Sequence, residues 1–263
     1  MPRTLWLWMA PTLIACGEGD LKRFEENSDV KVAVNAADFP IAAYVQAIYL
    51  IDLARGSCPD EINIEEAGRE SVEMISGDGC VSNSGLEWVG TILVEDRFTA
   101  ERVQRQVIAS EDFAVRSENY DSMAFSGTLT LTGAELNQLD ILDTEDFTVT
   151  INGTTVSYSE YELIGDVSEL FRETTANVSL EAEVTHEGQD FSLGGVWDFA
   201  GDCQTEPEQG ALTATGDNQI NITLDGSDCD SCAAWEDAKR SKRSGAVCDI
   251  RTEVNHFFNE IGG

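Results

Sequence analysis

The chain has 263 residues, 42% of them hydrophobic, and 49 Asp and Glu against 16 Lys and Arg give a formal net charge of -33. The apolar content is enough for a core and excludes a wholly disordered chain, and the length suits one large β domain or two small ones. So acidic a surface repels nucleic acid and anionic headgroups, and leaves divalent cations or basic groups as its favoured counter-charges.

At the N-terminus, Arg3 precedes an apolar run, Thr4 to Ile14 (TLWLWMAPTLI), which ends in the small residue Ala15 and then Cys16. The run has 11 residues, where a bilayer-spanning helix needs about 20, and Pro11 would kink a helix there. A short charged start, an apolar stretch and a small residue at the cut form an export signal. Leu13-Ile14-Ala15-Cys16 resembles a bacterial lipobox. That resemblance covers 16 residues and implies cleavage before Cys16, a thioether-linked diacylglycerol on Cys16, and in many cases an N-acyl chain. No other cofactor is expected. The alternative is an ordinary secretory signal in which Cys16 is incidental. In the enteric sorting rule, Asp after the lipidated cysteine retains a protein at the inner membrane. Gly17 stands there instead, which favours the outer membrane of a bacterial cell envelope.

The expected organisation is a signal peptide over 1–15, a lipidated flexible tether over 16–29, and one disulfide-stapled β-rich domain over 30–263. The tether is polar and Glu-rich (GEGDLKRFEENSD from Gly17), a composition that holds a fold away from a membrane. One long helix is expected from Ala37 to Arg55, with Asp38 as its cap, Pro40 in its first turn and Gly56 past its end. Ile41, Tyr44, Val45, Ile48 and Leu53 fall near one face, which would pack on a sheet.

From Cys58 onward the apolar period changes to two. Ser71 to Ile75, Leu86 to Val94, Val103 to Val115 and Ala124 to Leu131 read as strands. Hairpins follow around Asn152-Gly153, around His186-Glu187-Gly188 and around Gly216-Asp217-Asn218. Short loops make successive strands antiparallel neighbours. The fold class is therefore mainly β: a long antiparallel meander of roughly ten or more strands, a number at which a sheet curls or splits into a two-layer sandwich. The single N-terminal helix would pack on it. Trp88 to Val94, Phe125 to Leu131 and Gly210 to Gly216 echo one another, with Gly at a bend, Thr outward and Leu or Ile inward. The inward face should carry Ile92, Val94, Leu129, Leu131, Val149, Ile151, Leu180, Ile220, Ile222 and Leu224.

Seven cysteines are odd in number, and assigning Cys16 to lipid leaves Cys58, Cys80, Cys203, Cys229, Cys232 and Cys248. Six cysteines in an oxidising compartment point to three disulfides. Cys58 and Cys80 bracket a hairpin and should pair; pairing among the other four stays open. Cys229-Asp-Ser-Cys232 is a C-x-x-C, but it follows a hairpin and sits among Asp225, Asp228 and Asp230, whose charges oppose a thiolate. Redox chemistry and a four-cysteine zinc site remain the minor alternatives. The oxygen-rich Asp225 to Asp230 stretch departs from the EF-hand order, so no metal is assigned. Lys239-Arg-Ser-Lys-Arg243, the basic cluster, falls between strands Ala233 to Asp237 and Ala246 to Arg251 and reads as a solvated hairpin tip.

No catalytic residue is assigned. His186 falls in an expected turn and His256 in an amphipathic tail, and no H-E-x-x-H, G-x-S-x-G or Walker loop occurs. The sequons at Asn152, Asn177 and Asn221 are chance occurrences in a Thr-rich bacterial strand protein. The expected function is that of a non-catalytic envelope lipoprotein, structural or binding another envelope protein, whose membrane contact is its lipid anchor. The alternative is a carrier of apolar ligands: a helix followed by a long meander looks like the half-barrel of the periplasmic lipoprotein carriers. A carrier needs a partly empty inner face, and the non-carrier reading needs that face filled.

Overall fold

A computed structural model describes residues 20–53, 61–67, 70–81, 87–117, 120–167, 176–199, 209–224, 232–240 and 243–248. The signal peptide, Cys16, Cys58, Cys203, Cys229, the 225–230 stretch and His256 lie outside these residues.

The chain begins with β1 (Asp20–Leu21) and the helix α1 (Asn27–Leu53). Strands follow in order: β2 (Glu61–Ala67), β3 (Glu70–Val81), β4 (Glu87–Phe98), β5 (Val103–Ala109), β6 (Ala114–Ser117), β7 (Tyr120–Glu135), β8 (Gln138–Ile151) and β9 (Thr154–Gly165). The second half is β10 (Ala176–His186), β11 (Gln189–Phe199), β12 (Gln209–Thr215), β13 (Gln219–Leu224), β14 (Cys232–Asp237) and β15 (Ser244–Cys248). The expected mainly β meander is what forms. Sequential strands from β2 to β15, β5 and β6 excepted, pair antiparallel in one continuous 15-stranded sheet, so the two-layer sandwich is set aside. β6 fills in between β4 and β7, and β1 adds in parallel to β11. The expected strand Val103 to Val115 is broken in two by a turn in which Phe113 N–H donates to the Ser110 carbonyl at 3.1 Å.

The sheet curls around α1. Asn27 touches Trp235 of β14, and Tyr44 reaches Arg105 of β5, eight strands further along the sheet. The intervening 17 helical residues span ~26 Å, whereas eight strand spacings measure ~38 Å along the sheet. A chord shorter than its arc requires curvature. Residues 33–44 are buried without a break, on every side of the helix. An enclosed helix corrects the expectation of a helix resting one face on the sheet.

The helix also begins ten residues before its expected start at Ala37, and residues 20–29 belong to the fold instead of to a tether. Lys22 N–H donates to the Asp190 carbonyl (2.9 Å), and Asp217 N–H donates to the Lys22 carbonyl (2.8 Å). Asn218 brackets Phe24, accepting its N–H at 2.8 Å and donating to its carbonyl at 2.9 Å. At Gly216 a Cβ would stand 2.0 Å from the Lys22 carbonyl oxygen, so a side chain there would lift the segment off. Asp29 accepts the Glu25 and Glu26 N–H groups at 2.9 and 3.0 Å and binds the buried Lys22 ammonium at 3.0 Å. Asp38, expected as the cap, lies fully buried inside the helix.

All ten residues expected on the inner face are buried to 4% exposure or less. An aromatic row crosses that face: Phe113, Phe125, Phe147, Tyr158 and Tyr161, with successive centroids 4.6, 5.8, 6.3 and 5.6 Å apart. The echoed glycines divide. Gly90 and Gly127 adopt positive φ at bends, where a Cβ would meet backbone at 2.6 and 2.8 Å, while Gly210 has no positive φ.

Candidate interaction surfaces

Cys232 and Cys248 are register partners on β14 and β15 and form a disulfide, with Cα atoms 4.0 Å apart. Commitment of Cys232 to Cys248 sets aside a C-x-x-C redox pair with Cys229 and a four-cysteine zinc site. Cys80 is disulfide-bonded to a partner outside the described residues. Among the described residues, no group of three or more His, Cys, Asp or Glu is placed to hold a metal ion. His186 ends β10 instead of lying in the turn, and its Nδ1 contacts the Thr155 carbonyl at 2.8 Å, a structural bond.

The inner face carries one ionic group that the sequence reading missed. Asp96 and Arg105 are register partners on β4 and β5, joined by two hydrogen bonds of 2.7 Å. Both fall in the inward phase of their strands, beside Ile92, Val94, Val103 and Val107. Opposite charges in the inward phase of adjacent strands were the available signal. Burial opposes the Arg105 charge, yet the Asp96 hydrogen bonds and the Tyr44 hydroxyl outweigh it and raise its pKa above the ordinary guanidinium value. Burial likewise pushes the Tyr44 phenol up.

The outer face of β8 to β10 is a field of carboxylates. Asp143 faces Glu162, Glu162 faces Glu181, and Glu160 faces Glu183 across the strands. Like charges directly opposite destabilise a sheet. Burial first, and then Glu162 and Glu145, push the Asp143 carboxyl up. A groove of about 350 Å3 runs over Glu160, Glu181, Glu183 and Thr213. It continues into one of about 540 Å3 beside the exposed Ile164 and Val196. Gly194 lines both, and a Cβ there would make only an ordinary contact with the Leu180 carbonyl oxygen at 3.9 Å.

The opposite charge gathers at the end of the sheet where α1 enters. Arg23, Lys239, Arg240 and Arg243 line a cleft of about 350 Å3 with Asp217, Asn218 and Asp237. Asp237 accepts the backbone N–H groups of Lys239 and Arg240, both at 2.9 Å, and Asn218 Nδ2 at 3.2 Å. The Lys239 N–H first, with Asn218 and Arg240, holds the Asp237 carboxyl below the ordinary carboxylate range. The basic cluster is thus a built turn on a carboxylate, and Arg23 joins it from the far end of the chain.

No protein-family profile, characterised protein or solved structure matches this chain. Among the described residues, no helix is long and apolar enough to cross a membrane.

Proposed function

We propose that the chain is a non-catalytic lipoprotein of the bacterial cell envelope, a structural or protein-binding β domain held by lipid on Cys16, with the outer membrane favoured over the inner. The observation that carries the non-carrier reading is the seating of α1 inside the sheet. Tyr158 and Tyr161 of β9 donate hydroxyl hydrogen bonds to the Ala36 and Ala37 carbonyls at 2.6 and 2.9 Å. Where Tyr158 and Tyr161 bond the helix backbone, helix and strand β9 stand too close to admit an acyl chain between them, which supports the non-carrier reading. Filling this face stabilises the domain by about 1.5–3 kcal/mol per large side chain, energy that a carrier forfeits around a dry cavity. The acidic outer groove favours basic segments of an envelope protein as partner.

Two measurements test the reading. Cys16→Ser should leave an uncleaved or soluble precursor; a variant that still matures and fractionates with membranes removes the lipid anchor from the account. Organic extraction of the purified domain followed by mass spectrometry should recover no stoichiometric lipid beyond that bound to Cys16. A co-purifying acyl ligand would establish the carrier instead.

A further inference from the structure

We propose that the basic cleft of Arg23, Lys239, Arg240 and Arg243 docks on the phosphate headgroups of anionic lipid in the membrane that holds the chain. The inference rests on the lipid-anchor reading and adds a second, orienting contact to it.

Position is the first argument. Asp20 of β1 pairs with Gln189, at the turn between β10 and β11. Antiparallel alternation brings the β12–β13 and β14–β15 turns to that same end, and Arg23 lies three residues past Asp20. Only three residues separate Cys16 from Asp20, four steps of an extended chain and a reach of at most ~14 Å. A lipid on Cys16 therefore holds this end of the sheet close to the headgroups.

Charge is the second. The cleft sets four cations against Asp217, Asp237 and Glu25, in a chain whose net charge is -33. Arg23 binds Glu25 at 2.8 Å and Asp217 at 3.3 Å, and Arg243 binds Glu25 at 3.2 Å. Asp237 is occupied by N–H donors. Lys239 and Arg240 are exposed and have no ion pair within 4.0 Å among the described residues. They remain available to phosphate, with Arg240 presenting a planar fork suited to it.

Repulsion by the whole molecule does not defeat this contact. Glu187 lies at this end, but the groove carboxylates Glu183 and Glu181 stand three and five residues up β10, ~10 and ~17 Å away, beyond a screening length of about 8 Å at physiological salt. The acidic field is thus screened at the membrane while the basic cleft touches it. The overall acidity that opposes adhesion of the free chain orients the anchored one.

The test uses the mature chain, lipidated at Cys16, in vesicles of phosphatidylcholine alone or mixed with phosphatidylglycerol. Acylation of Lys239 is read by mass spectrometry, with Lys31 on α1 as the internal reference. Lys239 should react several-fold more slowly in the mixed vesicles, and high salt should erase the difference. Arg240→Glu should weaken the protection and Arg240→Lys should largely keep it; both retain the backbone N–H that Asp237 accepts. Equal reactivity in the two vesicle types overturns the proposal. Equal protection by glycerol phosphate added to phosphatidylcholine vesicles would assign the cleft to a soluble phosphate and overturn the lipid assignment. A chain that fails to enter neutral vesicles lacks the anchor, which is a separate failure. The headgroup contact is then read on the chain coupled through the Cys16 thiol to a maleimide lipid in the same two vesicle types at physiological salt, where equal reactivity of Lys239 overturns it.

Discussion

The Tyr158 hydroxyl occupies the position of the amide hydrogen that Pro40 lacks. A helix interior pairs each carbonyl with the N–H four residues on, and proline has none. The carbonyl that Pro40 leaves orphaned is that of Ala36, and Tyr158 donates to it at 2.6 Å. Tyr161 donates to the neighbouring Ala37 carbonyl at 2.9 Å. A proline buried in the middle of a helix is thus accommodated from a strand 122 residues away in sequence.

Removing that donor should be costly only while the proline is present. Tyr158→Phe should destabilise the domain by about 1–3 kcal/mol, the range for a buried acceptor left unsatisfied. Pro40→Ala restores an intrahelical donor, so Tyr158→Phe should cost markedly less in its presence. Urea unfolding of the four species in the Cys16→Ser background measures this coupling; additivity would sink the idea.

Asp29 should be the most sensitive residue of the N-terminal segment. It caps the two N–H groups before the helix and balances the buried Lys22. Asp29→Ala should cost about 2 kcal/mol, combining a lost cap with an unbalanced buried ammonium. Asp29→Asn should keep part of the capping and lose the ion pair. The Asp29 carboxyl is held below its ordinary value of 3.8: burial raises it, but the Glu25 and Glu26 N–H groups and Lys22 outweigh that. Its stabilising contribution is present above that value and is lost as pH falls through the lower folded one.

Asp96 and Arg105 should be replaceable together but not singly. Asp96→Ala leaves a mostly buried guanidinium without its carboxylate and should cost about 2–4 kcal/mol, whereas Asp96→Leu with Arg105→Met should come close to neutral once Tyr44→Phe removes the phenol that Arg105 otherwise partners. Comparable losses in Asp96→Ala and in the triple variant would refute a buried ionic group confined to these three side chains.

The Cys232–Cys248 bond closes a loop of 16-residue separation, which contributes about 3 kcal/mol in the chain-entropy model. Non-reducing peptide mapping should recover the 232–248 pair. Replacing both cysteines by serine should lower the urea midpoint.

Alkali should unfold the protein earlier than carboxylate chemistry alone predicts. Burial, and then the negative charges of neighbouring groups including Asp38, push the Tyr158 and Tyr161 phenols well above their ordinary value of 10.0. The folded chain holds these protons after the unfolded chain has released its own. Stability is therefore fully present below that value and falls as pH rises beyond it. Phenolate absorbance should show late-titrating tyrosines that ionise together with unfolding, above the ordinary phenol value of 10.0.

Much of the sheet was legible because a strand exposed on one side writes its burial in alternate residues. Leu129 and Leu131, or Ile220 and Ile222, declare their face without any neighbour's help. Asn152-Gly153 and Glu187-Gly188 adopt the positive φ that tight hairpins require. The helix start was not legible, because Asn27 to Asn35 alternates polar with β-branched residues and Pro40 reads as a first-turn proline. Tyr158 and Tyr161 overrule that local signal from another strand. Cys232 and Cys248 could not be matched beforehand, since pairing depends on the register of β14 and β15. The basic cleft was half legible: Lys239 to Arg243 is contiguous, but Arg23 joins it only through the fold.

The enclosure of α1 also sets an order of events. Synthesis delivers this helix ahead of every strand that buries it, and the Asn27 side chain donates to the Ala246 carbonyl, 219 residues later. An apolar segment that is made first and covered last has to be shielded in the interval. Strand β15 supplies the last of these contacts, so a nascent chain cut anywhere short of it lacks the carbonyl to which Asn27 donates.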